Sequence, residues 1–316
     1  MSSNRNLMKD EIQKAEVTSG TTLHGTNNAG LMNPEQARRF ISYMTDNQAF
    51  LKDTRLEQMA TYEKQLDTLL IGSRLIRRAV EASAPTELAD VNIVRKELRS
   101  VKVRLAADIT TEFLEDNIEG QSAGDRVARE LAQQFGNDLA DLMLNGDTAA
   151  TGASANFLTI GDGVIKQAKT STDTHKYNYT APTDNDDYKD KILPGILDLM
   201  PNKFKRDRNN MRFYCSSKVS DAYILSIANR LTAFGDSTLV GGNLPKFLGI
   251  SLFPVEYMPD DVIILTHRLN LVSGVQREMK VYSQFNQRKD LTEYTMYMRL
   301  DPSKIVWDDA LVIAYV

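Results

Sequence analysis

A mixed α+β fold is predicted by three observations. Val101, Val103, Leu105, Ala107 and Ile109 alternate with Lys102, Arg104, Ala106 and Asp108, a period of two that fits a half-buried strand and no helix. Val127, Leu131, Phe135, Leu139 and Leu142 then recur at spacings of three and four, the pattern of a helix with one apolar face. Toward the C-terminus, alternating segments return at Lys280 to Phe285, Tyr294 to Leu300 and Ala310 to Val316. The chain of 316 residues has room for two domains or one elaborate one.

In chain order, residues 1–33 are polar, with isolated apolar residues such as Leu7, Ile12, Val17, Leu23 and Leu31. Such a segment buries too little surface to fold alone and is expected to be disordered or to lie against another surface. Asn33 and Pro34 then open a short amphipathic helix with Ala37, Phe40, Ile41 and Met44 on one face, ending before Asp46. Residues 56–70 read either as a helix or as two short strands, and the strand that follows favours strands.

The alternating strand at 101–109 takes Ile71 to Val80 as its antiparallel partner in a long hairpin, with Pro85 in the tip from Glu81 to Asp90. An arm of ~10 residues at ~3.3 Å each is over ~30 Å long. Eight basic residues (Arg74, Arg77, Arg78, Arg95, Lys96, Arg99, Lys102, Arg104) against four acidic ones (Glu81, Glu87, Asp90, Glu97) leave this stretch at +4 inside a chain of −4. An isolated two-stranded ribbon is marginal in water, so it needs a second surface to brace it.

Ser122 or Asp125 caps the long helix, which stops at Asn145-Gly146, with Gly146 placed to take the left-handed position after the last turn. Residues 157–169 hold a strand or a short helix, and Thr170 to Asp187 is a polar loop. Ile192 to Met200 is a helix interrupted by, or starting at, Pro194-Gly195. A strand at Met211 to Cys215, a helix at Ser216 to Arg230, and strands at Ile250 to Val255 and Val262 to Thr266 complete the order.

Lys plus Arg (38) against Asp plus Glu (42) argues against strong, general nucleic-acid binding, which exploits a basic excess. A lone Cys215 removes an internal disulfide framework and cysteine-rich zinc sites, and His24, His175 and His267 are too scattered for a histidine-rich metal centre. Asp184, Asp186 and Asp187 lack the Gly and Glu of an EF-hand loop, so they read as a solvated acidic loop. Cys215 reads as a buried structural thiol, and His267 as a surface or interface residue. The basic run Lys203, Lys205, Arg206, Arg208 is a solvated turn or a contact with an acidic neighbour. Glu112, Glu115, Asp116 and Glu119 are either the carboxylates expected near a helix N-terminus or a counter-surface for the basic hairpin of another copy. Nowhere do an acid, a base and an oxyanion donor meet in one segment, so no catalytic, cofactor or metal residues are assigned.

The ordered set of elements resembles a known family. A polar N-terminal arm, a long charged hairpin, LAADITTEFLEDNIEG, a long helix ending DLADLMLNGD, and final strands closing on YMRLDPSKIVWDDALVIAYV are similar to the Hong Kong-type major capsid proteins of tailed bacteriophages. Phe113-Leu114-Glu115-Asp116 before the helix and Leu144-Asn145-Gly146-Asp147 after it are the most specific parts. The resemblance implies an N-terminal arm with a short helix (1–50) and an extended hairpin loop (71–105). It implies a peripheral domain (51–70, 106–150, 262–300) built on a spine helix (125–145), and an axial domain (151–261, 301–316). It implies a non-enzymatic subunit that assembles with itself into hexamers, pentamers and an icosahedral head around double-stranded DNA bound without sequence specificity. The basic hairpin residues and the acidic group at 112–119 are then contacts between copies.

A separate scaffolding protein is expected, because only about 33 residues precede the first helix, and a portal protein and a decoration protein are further partners. Assembly falls in the host cytoplasm and the product in the virion, with no membrane. Lys96, Lys102 and Asn286 do not align to an isopeptide-forming triad, so cohesion is expected to be noncovalent. Two alternatives stand beside this: an encapsulin-like compartment around protein cargo, and a cytoplasmic two-domain α/β enzyme, which leaves the hairpin and arm without a purpose.

Overall fold

In a computed structural model of the chain, the described residues are 27–31, 41–42, 44, 48–71, 91–110, 112, 123–228, 245–276 and 280–316. The elements run β1 (Asn27–Leu31), α1 (Ala49–Asp53), β2 (Arg55–Met59), β3 (Glu63–Ile71), β4 (Val91–Arg99), β5 (Val101–Thr110) and α2 (Ala123–Asn145). There follow α3 (Ala155–Leu158), α4 (Val164–Thr170), β6 (His175–Asn178), α5 (Leu193–Leu199), β7 (Met211–Cys215) and α6 (Ser217–Ala228). Strands close the chain: β8 (Lys246–Phe247), β9 (Ile250–Pro254), β10 (Val262–His267), β11 (Leu271–Gln276), β12 (Lys280–Asn286), β13 (Leu291–Ile305) and β14 (Leu311–Tyr315).

Two six-stranded sheets and one two-stranded ribbon organise these elements. The first sheet is built on β13, the longest strand. Leu300 of β13 pairs with Val101 of β5 and with Val275 of β11, so β5 runs along one edge of β13 while β11 and β12 share the other. Outside those, β1 pairs antiparallel with β12 and β2 pairs parallel with β11. Part of the polar N-terminal stretch thus lies against a surface of its own chain. The second sheet runs β6-β14-β10-β7-β9-β8. Strand alternation gives it two apolar faces: Tyr214, Ile264, Leu311 and Ile313 enter one core, while Phe213, Cys215, Ile263, Leu265, Val312 and Ala314 enter another. A sheet buried on both faces reads as continuous apolar runs, which is why β14 is apolar from Leu311 to Ala314 and β10 from Val262 to Leu265.

The first core joins both sheets to α2. Phe135, Leu139, Leu142 and Met143 of this helix pack with Phe50, Leu271, Val275, Met298, Leu300 and Ile305. Its 23 residues span ~34 Å at ~1.5 Å each, a rod along the molecule. At its middle, a Cβ on Gly136 would lie 2.5 Å from the Met44 carbonyl oxygen, so the glycine lets an N-terminal helical turn cross in contact. Ile41 and Met44 of that turn are buried, as their spacing predicts, while Pro34, Ala37 and Phe40 lie outside the described residues.

Three expectations change. The strand 101–110 is real, but its partner is β13, not Ile71 to Val80; the hairpin is instead β3 with β4, in register from Glu63 opposite Arg99 to Ile71 opposite Val91. The alternation marks a half-buried strand without naming its partner, and the partner lies near the other end of the chain. Gly146 is not left-handed, since positive φ among glycines occurs at Gly152 and Gly249. Its Cβ would instead stand 2.3 Å from the Gly161 carbonyl oxygen, so a close backbone approach, not a turn, requires it. The polar loop 170–187 holds β6, which pairs parallel with β14. The region 56–70 is strand, and 157–169 forms α3 and α4.

Candidate functional site

The described arms of the hairpin, nine residues each, reach ~30 Å. Among the described side chains, the buried ones lie at the base. Leu66 and Leu98 close a small core with Met59, Val272 and Val306, against which Trp307 packs. Farther out, Ile93 is 60% exposed, and beside the base Tyr62 (52%) and Val101 (42%) are exposed as well. Large apolar side chains grouped on and beside a projecting ribbon suit burial by another molecule.

Polar anchors fix the base. The Arg99 backbone N–H donates to the Asp301 carboxylate at 2.8 Å, and Lys96 Nζ reaches Asp308 at 2.6 Å. Ser100 donates twice to the Tyr62 carbonyl, from its N–H (3.1 Å) and its hydroxyl (3.0 Å). The Arg299 guanidinium lies 5.8 Å above the Tyr62 ring. Gly274, at a register shift between β11 and β13, leaves room for Met59: its Cβ would stand 2.7 Å from the Met59 sulfur. Burial pushes the Asp301 carboxyl above its usual range, outweighing the N–H groups of Arg99 and Ser303 and the nearby Lys304 charge.

The basic residues read from the sequence divide into groups. Arg95 sits directly across from Asp67 and bonds it at 2.9 Å; Arg99 meets Glu97 at 3.0 Å and Glu63, its register partner, at 3.5 Å. The true facing arm supplies Glu63 and Asp67, which a hairpin drawn from residue 71 leaves out. Much of the apparent positive excess is therefore answered within the ribbon, by exposed pairs worth ~0.2–1 kcal/mol each. Lys102 and Arg104 belong to β5 in the first sheet, with the Lys102 ammonium 4.4 Å from the Tyr297 ring centre. Glu112 is exposed on a helical residue. Arg74, Arg77, Arg78, Glu115, Asp116 and Glu119 lie outside the described residues. Reasoning from sequence missed the anchors Asp301 and Asp308, because Lys96 and Asp308 are 212 residues apart and share no spacing signal.

The remaining candidates are absorbed by the fold. Cys215 is fully buried, and burial pushes its thiol up to about 12, which leaves no thiolate at neutral pH. His267 caps a short turn by accepting from the Leu269 N–H at 3.2 Å, and its other nitrogen lies 3.4 Å from Asp207. Of the basic run, Lys203 pairs with Asp309 at 2.7 Å and Arg208 donates to the Leu248 carbonyl at 2.8 Å. In the acidic loop, Asp186 and Asp187 pair with Lys189 and Lys191. Among the described residues no group of three His, Cys, Asp or Glu side chains could hold a metal ion, and no helix is long and apolar enough to cross a membrane.

Two six-stranded sheets, a rod-like helix and a ribbon anchored at its base form the fold of phage-type capsid proteins. The superposition on a chain of the satellite phage P4 procapsid covers 100% of this chain and 98% of that one, with a TM-score of 0.70 at 11% identity. A capsid chain of the native GTA particle follows at TM-score 0.60 and 15% identity, over 87% and 90% of the two chains. The virus-like particle of Pyrococcus furiosus gives 0.51 at 11% identity, over 89% and 98%. The chain thus has the fold of phage-type capsid proteins. In sequence it is similar to the "Putative prophage capsid protein YqbE" of Bacillus subtilis (strain 168), at 28% identity over 93% of this chain and 94% of that one. No protein-family model matches it.

Proposed function

We infer that this chain is the structural subunit of a Hong Kong-type phage head, a protein that assembles with copies of itself into an icosahedral shell enclosing double-stranded DNA. One observation carries the reading: a capsid fold spanning the chain carries a ribbon whose described core contacts lie at its base, with Ile93 farther out 60% exposed. A two-stranded ribbon is marginally stable in water, so a neighbouring copy is the natural support. Ribbon and support are different patches, and contacts of that heterologous kind propagate into rings. The ribbon with residues 72–90 acts as the extended loop, the first sheet with α2 as the peripheral domain, and the second sheet as the axial domain. The near-neutral balance of charge suits a wall that holds packed DNA without adhering to it. The role is structural, not catalytic. A scaffolding protein, a portal protein and a decoration protein are its proposed partners, host cytoplasm its place of assembly and the virion its destination.

Electron microscopy and sedimentation of the purified chain test this directly. Hexamers, pentamers or closed shells are expected; a stable monomer or dimer would overturn the reading. A compartment around protein cargo is the alternative, and nuclease-resistant DNA inside native particles decides between the two.

A further inference from the structure

Strand β5 ends the first sheet on one side. It pairs with β13 throughout Val101–Thr110, and among the described residues no strand pairs with its outer edge over Val101–Ile109. Long free edges invite strand addition, and proteins blunt them with short strands, proline or bulges. The outermost strands of the two six-stranded sheets otherwise follow that rule: β1 and β2 have five residues each, β6 four and β8 two. Strand β5 has ten, with no proline, and its pairing with β13 runs without a register shift.

Its charges point the same way. Lys102 stands directly opposite Arg299 on β13, and Asp108 directly opposite Glu293, so each end of the strand carries a like-charge cross-strand pair. Such pairs are destabilising unless an opposite charge lies beside them. Glu293 has Lys289 at 3.9 Å and an amide hydrogen from Asn286 at 3.1 Å, whereas Asp108 has no ion-pair partner among the described residues. Lys102, Arg104, Ala106 and Asp108 are exposed on one face, while Val103, Leu105 and Ala107 are half-buried and Ile109 is buried on the other.

We propose that β5 pairs antiparallel with the β5 of a second copy across a two-fold axis at Leu105, joining their first sheets into one. This rests on the shell reading and adds to it a contact between rings. A two-fold axis perpendicular to the sheet keeps exposed face beside exposed face, so only same-parity residues oppose one another. With Leu105 on the axis, Lys102 of each copy faces Asp108 of the other. Arg299, Lys102, Asp108 and Glu293 then line up across four strands, two positive charges beside two negative, and symmetry repeats the row. Val101 meets Ile109 and Leu105 meets Leu105 on the opposite face. Shifting the axis to Arg104 places Arg104 against itself, and shifting it to Ala106 leaves the Lys102–Arg299 pair facing Thr110 and Leu291 with no carboxylate.

Cysteine cross-linking of assembled particles tests the register. Residues opposite each other in an antiparallel pair have Cα atoms ~4.5–5.5 Å apart, within disulfide reach, whereas Ala106 and its copy would be ~8 Å apart. On oxidation, L105C is expected to run largely as a dimer without reductant and A106C as a monomer; buried Cys215 does not compete. Independently, K102D and D108K should each reduce particle yield at least tenfold, and the double variant should restore it to within twofold. Particles that form while L105C stays monomeric, or a double variant no better than the single ones, overturn this contact and leave the shell reading standing. A wild-type chain that never forms particles overturns both.

Discussion

Leu98 holds the root of the ribbon, and truncating it separates anchoring from assembly. Its side chain is fully buried in a satellite core with Met59, Leu66, Val272 and Val306. Leu→Ala at buried sites costs ~2–5 kcal/mol, and a small cluster walled partly by a ribbon free to settle inward belongs at the low end, ~2–3 kcal/mol. The loss falls on opening of the ribbon, not on the second sheet, whose cores share no residue with this one. At ~1.4 kcal/mol per tenfold, amide hydrogen exchange in β3 and β4 of the unassembled L98A subunit should quicken ~30- to 140-fold, with β10 and β14 unchanged. Ile93 on the same strand is 60% exposed, so I93A should shift stability of the free subunit by under ~0.5 kcal/mol yet lower particle yield. Equal acceleration in β10 and β14, or none in β3 and β4, would refute a ribbon rooted in its own core.

Three further outcomes follow from the same contacts. Burial raises the folded-state pKa of Asp301 above the ordinary 3.8, so its ionised form costs stability as pH rises from that value through the raised one. Urea titrations from pH 3.5 to 7 should show wild type losing stability relative to D301N across that window, and parallel curves would contradict it. A Cβ on Gly163 would stand 2.4 Å from the Leu144 carbonyl oxygen and 2.6 Å from the Gly146 nitrogen, backbone atoms that cannot rotate aside. G163A should therefore cost about 1–3 kcal/mol in denaturant titration, and an unchanged midpoint would show that the helix end yields. Lys96 is held by Asp308 at 2.6 Å, and the Asn286 amide donates to Glu293 at 3.1 Å, so neither is poised for a bond to a neighbour. Boiling particles in detergent should release single chains, and a ladder of cross-linked species would count against noncovalent cohesion.

The helix α2 is legible in sequence because its signals are local. Leu131, Phe135, Leu139 and Leu142 repeat within a few turns, and Asn145-Gly146 ends the run. The strands at 101–110, 211–215, 262–267 and 311–315 show themselves similarly, through alternation or unbroken apolar runs. The anchors Asp301 and Asp308 do not, since each acts on a residue about two hundred positions away and neither has a local pattern.

The sequence by itself determined the class of fold, the long helix and the half-buried charged strand at 101–109, because side-chain periodicity is set by backbone geometry within a few residues. Which strand lies beside which was decided only by the tertiary structure. Pairing β5 with β13 and β3 with β4 depends on two distant segments meeting in register, a choice made by the shared cores beneath them. That choice moves Lys102 and Arg104 from a ribbon to a sheet edge and sets Asp67 against Arg95, so the same charges acquire different neighbours and different work.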